Sequence, residues 1–272
     1  MTKTAILSDI HANPIALETV LDDIRALGCE RVFFLGDIIN GMAPSAGIAI
    51  LREVDNCQSI KGNAEHYVLT PDLDSFPHKN EPMYVELIEL IQWWNAQMSE
   101  SDIVFIQNLP DIMYVEDWCL LHDSPRDRRT VKEMDLGPIN EKYRELNFHG
   151  NGIHKNTDAA EFEEITQFMA EKNVSKLFIG HTHEPFIKQI DDKTIINVGS
   201  AGLPLDGDPR GAWVLMEQNA DYWQPSIRRV AYDIDKAVAL LTEQGFRDFM
   251  GVDMTNAYIK MLQTGIHWRA HV

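Results

Sequence analysis

The chain has 272 residues, of which 44% are hydrophobic and 24% charged, as in soluble globular proteins. Its formal net charge of −18 excludes a general surface for polyanions, because nucleic-acid binding requires Lys and Arg to neutralise phosphates. Three cysteines without a Cys-x-x-Cys pair form a poor disulfide framework, and no run is long and apolar enough to cross a bilayer. We therefore expect a cytoplasmic protein with neither a membrane nor a nucleic-acid partner.

The first third of the chain alternates predicted strands and helices. Thr4 to Leu7 has the composition of a strand, and Asn13 is a helix cap with Pro14 at the first helical position. Gly28 ends this helix, and Arg31 to Leu35 forms the next strand. A right-handed βαβ crossover makes the two strands parallel, so residues that follow each of them leave at the same sheet edge.

The middle of the chain continues with short elements. In order, we predict a helix from Ser45 to Val54, a strand from Cys57 to Lys61, a helix from Met83 to Gln97, a capping box from Ser99 to Asp102, and a hairpin of Ile112 to Val115 with Trp118 to Leu121. Residues 124–157 are polar and lack periodicity, which predicts an irregular excursion over the functional site.

The last third begins with a helix that Asp158 caps and that turns Phe162, Ile165, Phe168 and Met169 inward. Predicted strands follow at Lys176 to Ile179, Thr194 to Val198, Ala212 to Glu217 and Ile227 to Ala231, and predicted helices at Asp235 to Thr242 and Asn256 to Leu262. No linker marks a boundary. We therefore expect a single domain over 1–272, with a C-terminal helical extension at about 233–272.

Side chains that bind metals recur directly after predicted strands. The five segments are Asp9-Ile10-His11, Gly36-Asp37, Gly62-Asn63, Leu121-His122 and Gly180-His181-Thr182-His183. Carboxylate, imidazole and amide ligands suit borderline metals such as manganese, iron and zinc. In open α/β sheets, ligands bind outside the carboxyl ends of the strands. The pattern therefore predicts a transition-metal site at one sheet edge.

The order and spacing of these segments, from Thr4 to about Gly202, resemble the calcineurin-like metallophosphoesterase superfamily. Gly180-His181-Thr182-His183 is the most diagnostic piece, and Asn197-Val198-Gly199-Ser200 resembles the Asn-Pro-Gly-Ser segment of small bacterial phosphodiesterases in that superfamily. The resemblance implies an α/β fold, a four-layer αββα sandwich of two mixed β-sheets with helices outside.

The resemblance also implies two divalent or mixed-valence transition metal ions, whether manganese, iron, zinc or nickel. Asp37 would bridge them; one ion would take Asp9, His11 and His183, and the other Asn63, His122 and His181. A hydroxide bridging the ions would attack a phosphoester. Each ligating imidazole needs an acceptor for its other nitrogen, and Asp123 and Glu184 are nearby candidates.

One departure from the superfamily bears on the substrate. Many members have Gly-Asn-His at the third segment, where the His assists the leaving group, whereas this chain has Ala64 there. Because a positioned acid contributes typically 10²–10⁴ in rate, phosphodiesters or phosphoanhydrides with acidic leaving groups are favoured. His66 is a candidate replacement acid, although a surface or supporting histidine is the favoured interpretation.

The expected partner is a small phosphorylated molecule, such as a nucleotide or a dinucleoside polyphosphate. Arg126 and Arg128, in a cluster with Arg129, are candidate contacts for a second phosphate, against the favoured alternative of a solvated loop. His149 and His154 are interpreted as ordinary loop residues. Competing functions are a phosphoprotein or small-molecule phosphomonoesterase and a non-catalytic scaffold. The oligomeric state stays open.

Overall fold

The structure is a computed structural model that describes residues 2–69, 82–125, 152–219 and 222–267. Most of the predicted excursion at 124–157, including Arg126, Arg128 and His149, lies outside the described residues, while 152–157 form bends and turns. Among the described helices, none is long and apolar enough to span a membrane.

The described strands form two five-stranded sheets. The first has the order β10-β9-β1-β2-β3 and the second the order β4-β5-β6-β8-β7. Their bounds are β1 Thr2–Leu7, β2 Arg31–Phe34, β3 Cys57–Ser59, β4 Ile112–Val115, β5 Trp118–Leu121, β6 Lys176–Ile179, β7 Phe186–Ile190, β8 Lys193–Asn197, β9 Gly211–Asn219 and β10 Tyr222–Val230. Both sheets are mixed. In the first, the parallel strands β1, β2 and β3 continue into antiparallel β9 and β10, and in the second the parallel strands β5, β6 and β8 lie between antiparallel β4 and β7.

Helices cover the outer faces of both sheets. The described helices are α1 Pro14–Ala26, α2 Pro44–Arg52, α3 Asn63–Leu69, α4 Pro82–Gln97, α5 Glu100–Gln107, α6 Ala159–Glu171, α7 Ile234–Glu243 and α8 Phe246–Thr264. The predicted caps of α1 and α6 are confirmed, since the side chains of Asn13 and Asp158 accept hydrogen bonds from backbone amides in the first turn of each helix. The capping box of α5 is also confirmed.

The two sheets pack face to face because successive side chains of a strand point to opposite faces. Ile6 of β1 lies between the sheets in one apolar cluster with Phe178 and Trp118 of the second sheet. Its neighbours Ala5 and Leu7 belong to another cluster, which includes apolar side chains of α1. A third cluster joins the outer face of the second sheet to α6. The predicted four-layer α/β sandwich is therefore confirmed.

A fourth apolar cluster lies under the C-terminal helices. It joins Leu241 of α7 and Tyr258 of α8 to Met42, in the loop after β2, and to Leu203, in the loop after β8. Both loops leave their strands at the edge where the parallel strands end. The C-terminal extension is therefore packed against the segments that carry the candidate ligands.

The sequence prediction missed three parts of the fold. Strand β7 pairs antiparallel with β8 through a two-residue turn, and α3 begins at Asn63, where only a strand exit was predicted. Strand β10 starts at Tyr222, five residues before the predicted start. The remaining predicted strands and helices occur with ends shifted by a few residues, except α8. This helix is kinked at Gly251 (φ 77°), and its first part begins at Phe246, ten residues before the predicted start.

Candidate metal centre

Every candidate ligand lies at the carboxyl end of a parallel strand. Asp9 and His11 follow β1, Asp37 follows β2, Asn63 follows β3, His122 follows β5, and His181 and His183 follow β6. The edges of the two sheets meet here, because the amide of His181 donates a 2.9 Å hydrogen bond to Asp9 Oδ2. The six charged or ionisable candidates are buried, and Asn63 is partly buried.

The backbone at these positions is strained. Five candidate ligands adopt left-handed conformations: Asp9 (φ 55°), His11 (φ 51°), Asp37 (φ 57°), His181 (φ 68°) and His183 (φ 58°). Residues other than glycine rarely adopt positive φ, and such strain is concentrated at functional sites. The left-handed conformation of these turns directs the candidate ligands of each turn towards one centre.

The first group of donor atoms consists of Asp9, His11 and His183. The Nε2 atoms of the two imidazoles are 2.8 Å apart, and Asp9 Oδ1 lies 3.2 Å from His183 Nε2 and 3.6 Å from His11 Nε2. Ligand atoms of all three residues lie within 4.8 Å of one another. This is the set that the superfamily resemblance implied for one ion.

The second group of donor atoms also lies close to Asp9. Asn63 Oδ1 is 2.8 Å from His181 Nδ1 and 3.1 Å from His122 Nε2, and His122 Nε2 is 3.5 Å from Asp37 Oδ1. Asp9, Asp37 and His122 also have ligand atoms within 4.8 Å of one another. The structure therefore brings all seven predicted ligands together, with Asp9 shared by the two close groups.

Backbone carbonyls fix the orientation of three of the imidazoles. The Nδ1 atoms contact the carbonyl oxygens of Asn40 for His11 (3.1 Å), Leu35 for His122 (2.7 Å) and Leu203 for His183. If Nδ1 carries the proton, Nε2 presents its lone pair to the centre, which is how metal-binding histidines are usually held. The sequence had suggested side chains for this role.

Asp123 and Glu184, the two side-chain acceptors that the sequence suggested, have different neighbours in the structure. Asp123 Oδ2 lies 3.8 Å from His181 Nε2. Glu184 instead accepts from Lys155 Nζ at 2.7 Å and lies 3.4 Å from His154 Nδ1. Among the described residues, the carboxylate of Glu184 thus contacts the 152–157 segment rather than a candidate ligand.

A fully buried glutamate that the sequence analysis did not assign braces the centre. The carboxylate of Glu65 accepts hydrogen bonds from the amides of Gly62 (2.6 Å), Asp37 (2.8 Å) and Ile38 (2.8 Å). The amide of Ala64 in turn donates to Asp37 Oδ1 at 2.9 Å. Glu65 thus joins the turns that carry Asp37 and Asn63. The sequence feature that could have predicted this role is a carboxylate three residues after Gly62, in the first turn of a helix.

The Asn197–Ser200 segment supports the opposite side. The Nδ2 of Asn197 donates to the carbonyl of Gly180 at 2.8 Å and to Thr182 Oγ1 at 2.9 Å. The hydroxyl of Ser200 donates to the carbonyl of Asp9 at 2.7 Å. These contacts hold the turn that contains His181 and His183 against the β1 turn.

Two glycines allow this close approach. A Cβ atom on Gly62 would lie 2.2 Å from Asp37 Oδ1, and one on Gly180 would lie 2.2 Å from Ser8 Oγ and 2.5 Å from Asp9 Oδ2. All three distances are far shorter than van der Waals contact. Only glycine therefore lets these turns meet.

The electrostatics suit a cation. Burial opposes the ionisation of Asp9, but His183, His122 and His11 hold the pKa of its carboxyl well below the usual range. Burial opposes the protonation of His122, but Asp37, Asp9 and Asp123 raise its pKa to about 9. Burial also opposes protonation of His11, whose pKa is raised by its close contact with Asp9 and by the charge of Asp37.

The donor set fits a transition metal ion. Asp9 Oδ1 is fully buried and accepts no hydrogen bond from the described residues, although an unpaired buried carboxylate oxygen is costly. Imidazole nitrogens surround it at 3.2–3.6 Å. A cation at this point would satisfy the oxygen and separate the imidazoles.

Ala64, which stands where many superfamily members have the acidic His, is part of the apolar core. Ala64 is fully buried and belongs to the cluster between the first sheet and its helices. His66 lies one helical turn after Asn63, with Nε2 3.1 Å from Asp111 Oδ1. Whether His66 acts as an acid stays a prediction, as does substrate contact by Arg126 and Arg128.

Comparisons with known proteins agree with this geometry. The sequence model of the calcineurin-like phosphoesterase superfamily domain matches residues 2–220. An uncharacterised protein of Methanocaldococcus jannaschii is 25% identical over 270 residues, covering 91% of this chain and 95% of the relative.

Two crystal structures are similar over almost the whole chain. A metallophosphoesterase from Sphaerobacter thermophilus is 24% identical with a TM-score of 0.68, and the match covers 97% of this chain and 99% of that one. A hypothetical protein from Pyrococcus horikoshii is 16% identical with a TM-score of 0.70, covering 98% and 100%. Their similarity supports the fold.

Proposed function

The chain belongs to the calcineurin-like phosphoesterase superfamily, and from this premise we propose that it is a two-metal hydrolase of phosphodiesters or phosphoanhydrides. The superfamily is metal-dependent, and the chain has two overlapping groups of candidate metal ligands. The substrate that we propose is small and phosphorylated, such as a nucleotide or a dinucleoside polyphosphate.

The convergence of seven candidate ligands on one edge is the observation that carries the proposal. Asp9, His11 and His183 would hold one ion, Asn63, His122 and His181 the other, and Asp37 would contribute to both. When bound, manganese, iron, zinc or nickel would supply Lewis-acid stabilisation of the phosphoryl group and a water nucleophile at neutral pH. The neutral amide of Asn63 adds a ligand without adding negative charge.

The protein groups hold these ligands in place. Backbone carbonyls keep three imidazoles directed inward, and Glu65 joins the turns of Asp37 and Asn63. Because this support is formed before substrate arrives, little reorganisation is needed during reaction, which is a major source of catalytic stabilisation.

The preference for acidic leaving groups follows from Ala64. Without an imidazole at that position, no side chain there can donate a proton to a departing alkoxide. Leaving groups of low pKa need no such proton. We therefore expect aryl diesters and phosphoanhydrides to react faster than monoesters of alkyl alcohols.

Parallel assays on bis-p-nitrophenyl phosphate and p-nitrophenyl phosphate with added manganese test this function. We expect a higher kcat/KM for the diester, and a fall of at least about 100-fold in the His183→Ala variant, because that imidazole is a proposed ligand. Faster cleavage of the monoester would instead support a phosphomonoesterase. A protein inactive on both substrates with every tested metal would favour the non-catalytic scaffold.

A further inference from the structure

The C-terminal helices α7 and α8 lie beyond residue 220, where the match to the superfamily domain ends. They nevertheless pack against the candidate metal centre. Two imidazoles, those of His11 and His183, are held by the carbonyls of Asn40 and Leu203. Leu203 itself, and Met42 close to Asn40, are buried in one cluster with side chains of both C-terminal helices.

The end of α8 is also tied to the loop that contains Leu203. The amide of Gly207 donates to the carbonyl of Gly265 at 2.7 Å, and Asp206 forms an isolated β-bridge with Ile266. A displacement of α8 would therefore move the carbonyl that orients His183.

Tyr258 brings α8 close to Gly41, the residue after the other carbonyl. It is 9% exposed, and its hydroxyl has no hydrogen-bond partner among the described residues. A Cβ atom on Gly41 would lie 3.2 Å from this hydroxyl and 1.6 Å from the carbonyl oxygen of His11. The hydroxyl, the Gly41 backbone and the His11 backbone therefore meet at one point.

Other polar atoms close to the ligands are unpaired as well. Asn40 Oδ1 and the hydroxyl of Tyr232 are buried and have no hydrogen-bond partner in the described part of the chain. Burial and the neighbouring Tyr232 raise the pKa of Tyr258, and Tyr232 lies beside Asn13, two residues after His11. Burying an unpaired hydroxyl is costly, so its presence beside the ligands calls for an explanation.

We propose that the C-terminal extension forms part of the metal centre's support, with Tyr258 as a positioning residue. Its hydroxyl lies against Gly41 and limits the space open to the Asn40–Gly41 turn, and the Asn40 carbonyl of that turn holds His11 in its metal-binding orientation. The extension thereby tunes the affinity of the ion held by Asp9, His11 and His183. This inference rests on the proposed metal site but is independent of the proposed substrate.

The test is a manganese titration of the full-length, metal-free Tyr258→Phe variant. The concentration of free Mn²⁺ is measured from its electron paramagnetic resonance signal, which gives the affinity for each bound ion. We expect a loss of affinity for one of two ions of about tenfold, at the lower end of the effect of supporting groups on metal sites. Tyr222→Phe is the matched control, because its exposed hydroxyl bonds Gln224 on β10. Gly41→Ala, which presses on the His11 carbonyl, is expected to weaken the same ion.

A second measurement separates positioning from a merely structural role. The ring N–H proton of His11 in the metal-free protein should exchange faster with solvent in Tyr258→Phe than in the wild type. If the hydroxyl is only an unpaired buried group, the variant will instead gain thermal stability and keep both affinities. Equal manganese binding by wild type and Tyr258→Phe would overturn the inference alone. A wild-type protein that binds no manganese would overturn the inference and the proposed function together.

Discussion

At the scale of single residues, the centre depends on backbone conformations that are individually unfavourable. Five candidate ligands have positive φ, and the hydrogen bonds of Glu65, Asn197 and Ser200 hold the turns in which they lie. Each such conformation costs on the order of 1–3 kcal/mol. The supporting residues therefore matter as much as the ligands do.

Replacement of Glu65 by Gln tests this support. Burial raises the pKa of Glu65, and the charge of Asp37 adds to the effect, while three backbone amides favour the carboxylate. An amide side chain replaces one acceptor by a donor, so at least one buried N–H loses its partner. We expect the metal-free variant to unfold in urea with about 1–3 kcal/mol less stability.

The control for Glu65→Gln is Glu18→Gln, on the exposed face of α1, which should leave stability unchanged. Unchanged stability in Glu65→Gln would mean that the three short hydrogen bonds do not brace the centre.

At the scale of elements, the sequence predicted most of the fold because the central strands are buried runs and the helices α1, α5, α6 and α7 begin at side-chain caps. Strand β7 was missed because its turn, Asp191-Asp192, lacks the glycine that usually marks a two-residue hairpin. The first half of β10 was missed because it is exposed and contains Pro225, which only an edge strand tolerates.

For the site, as for the fold, the sequence predicted the main positions but not the contacts between distant parts of the chain. The ligand positions followed from strand ends and from the superfamily resemblance, since each ligand occupies the turn after a strand. The supporting contacts were not predictable, because the carbonyls of Asn40, Leu35 and Leu203 are distant in sequence from the imidazoles that they hold. The helix α3 is too short, at seven residues, to reveal a helical period.

The junction of α2 and α5 gives a pH-dependent prediction. Burial opposes the ionisation of Asp102, but hydrogen bonds from Ser99 and Ser45 and the charge of Arg52 lower its pKa. A carboxyl group whose pKa is lower in the folded than in the unfolded protein stabilises the fold at pH values above its unfolded pKa, which is about 3.9 for Asp. This contribution is lost as the pH falls through the folded pKa.

We therefore expect Asp102→Asn to lose about 1 kcal/mol at pH 6, where the capping box and the Arg52 contact are weakened. The difference from wild type should shrink below about pH 4, as measured by urea unfolding across this range. Asp22→Asn, whose side chain is 76% exposed, is the control. A difference that stayed constant down to pH 3 would show that the charge of Asp102 is not responsible.

At the scale of the whole molecule, the centre exists only where the two sheets meet. Asp9, Asp37 and Asn63 follow strands of the first sheet, whereas His122, His181 and His183 follow strands of the second. The C-terminal helices reach the same edge through Leu203 and Tyr258. Bound ions would therefore connect elements from most of the described chain.

Removal of metal should accordingly destabilise the whole fold. An ion that binds only the folded state adds about 2.7 kcal/mol at 100 times its Kd. Two ions should raise the unfolding temperature by roughly 10 °C in calorimetry, and an excess of EDTA should abolish the increase. Calcium is a suitable control, because imidazole ligands favour transition metals. The same unfolding temperature with manganese and with EDTA would argue against a metal centre that joins the sheets.

The most direct test of the central claim is anomalous X-ray diffraction from crystals grown with manganese, recorded at the manganese absorption edge. We predict two anomalous peaks in each chain, one contacted by Asp9, His11 and His183 and the other by Asn63, His122 and His181, with Asp37 between them. A single peak, or peaks away from this edge of the sheets, would contradict the two-metal centre.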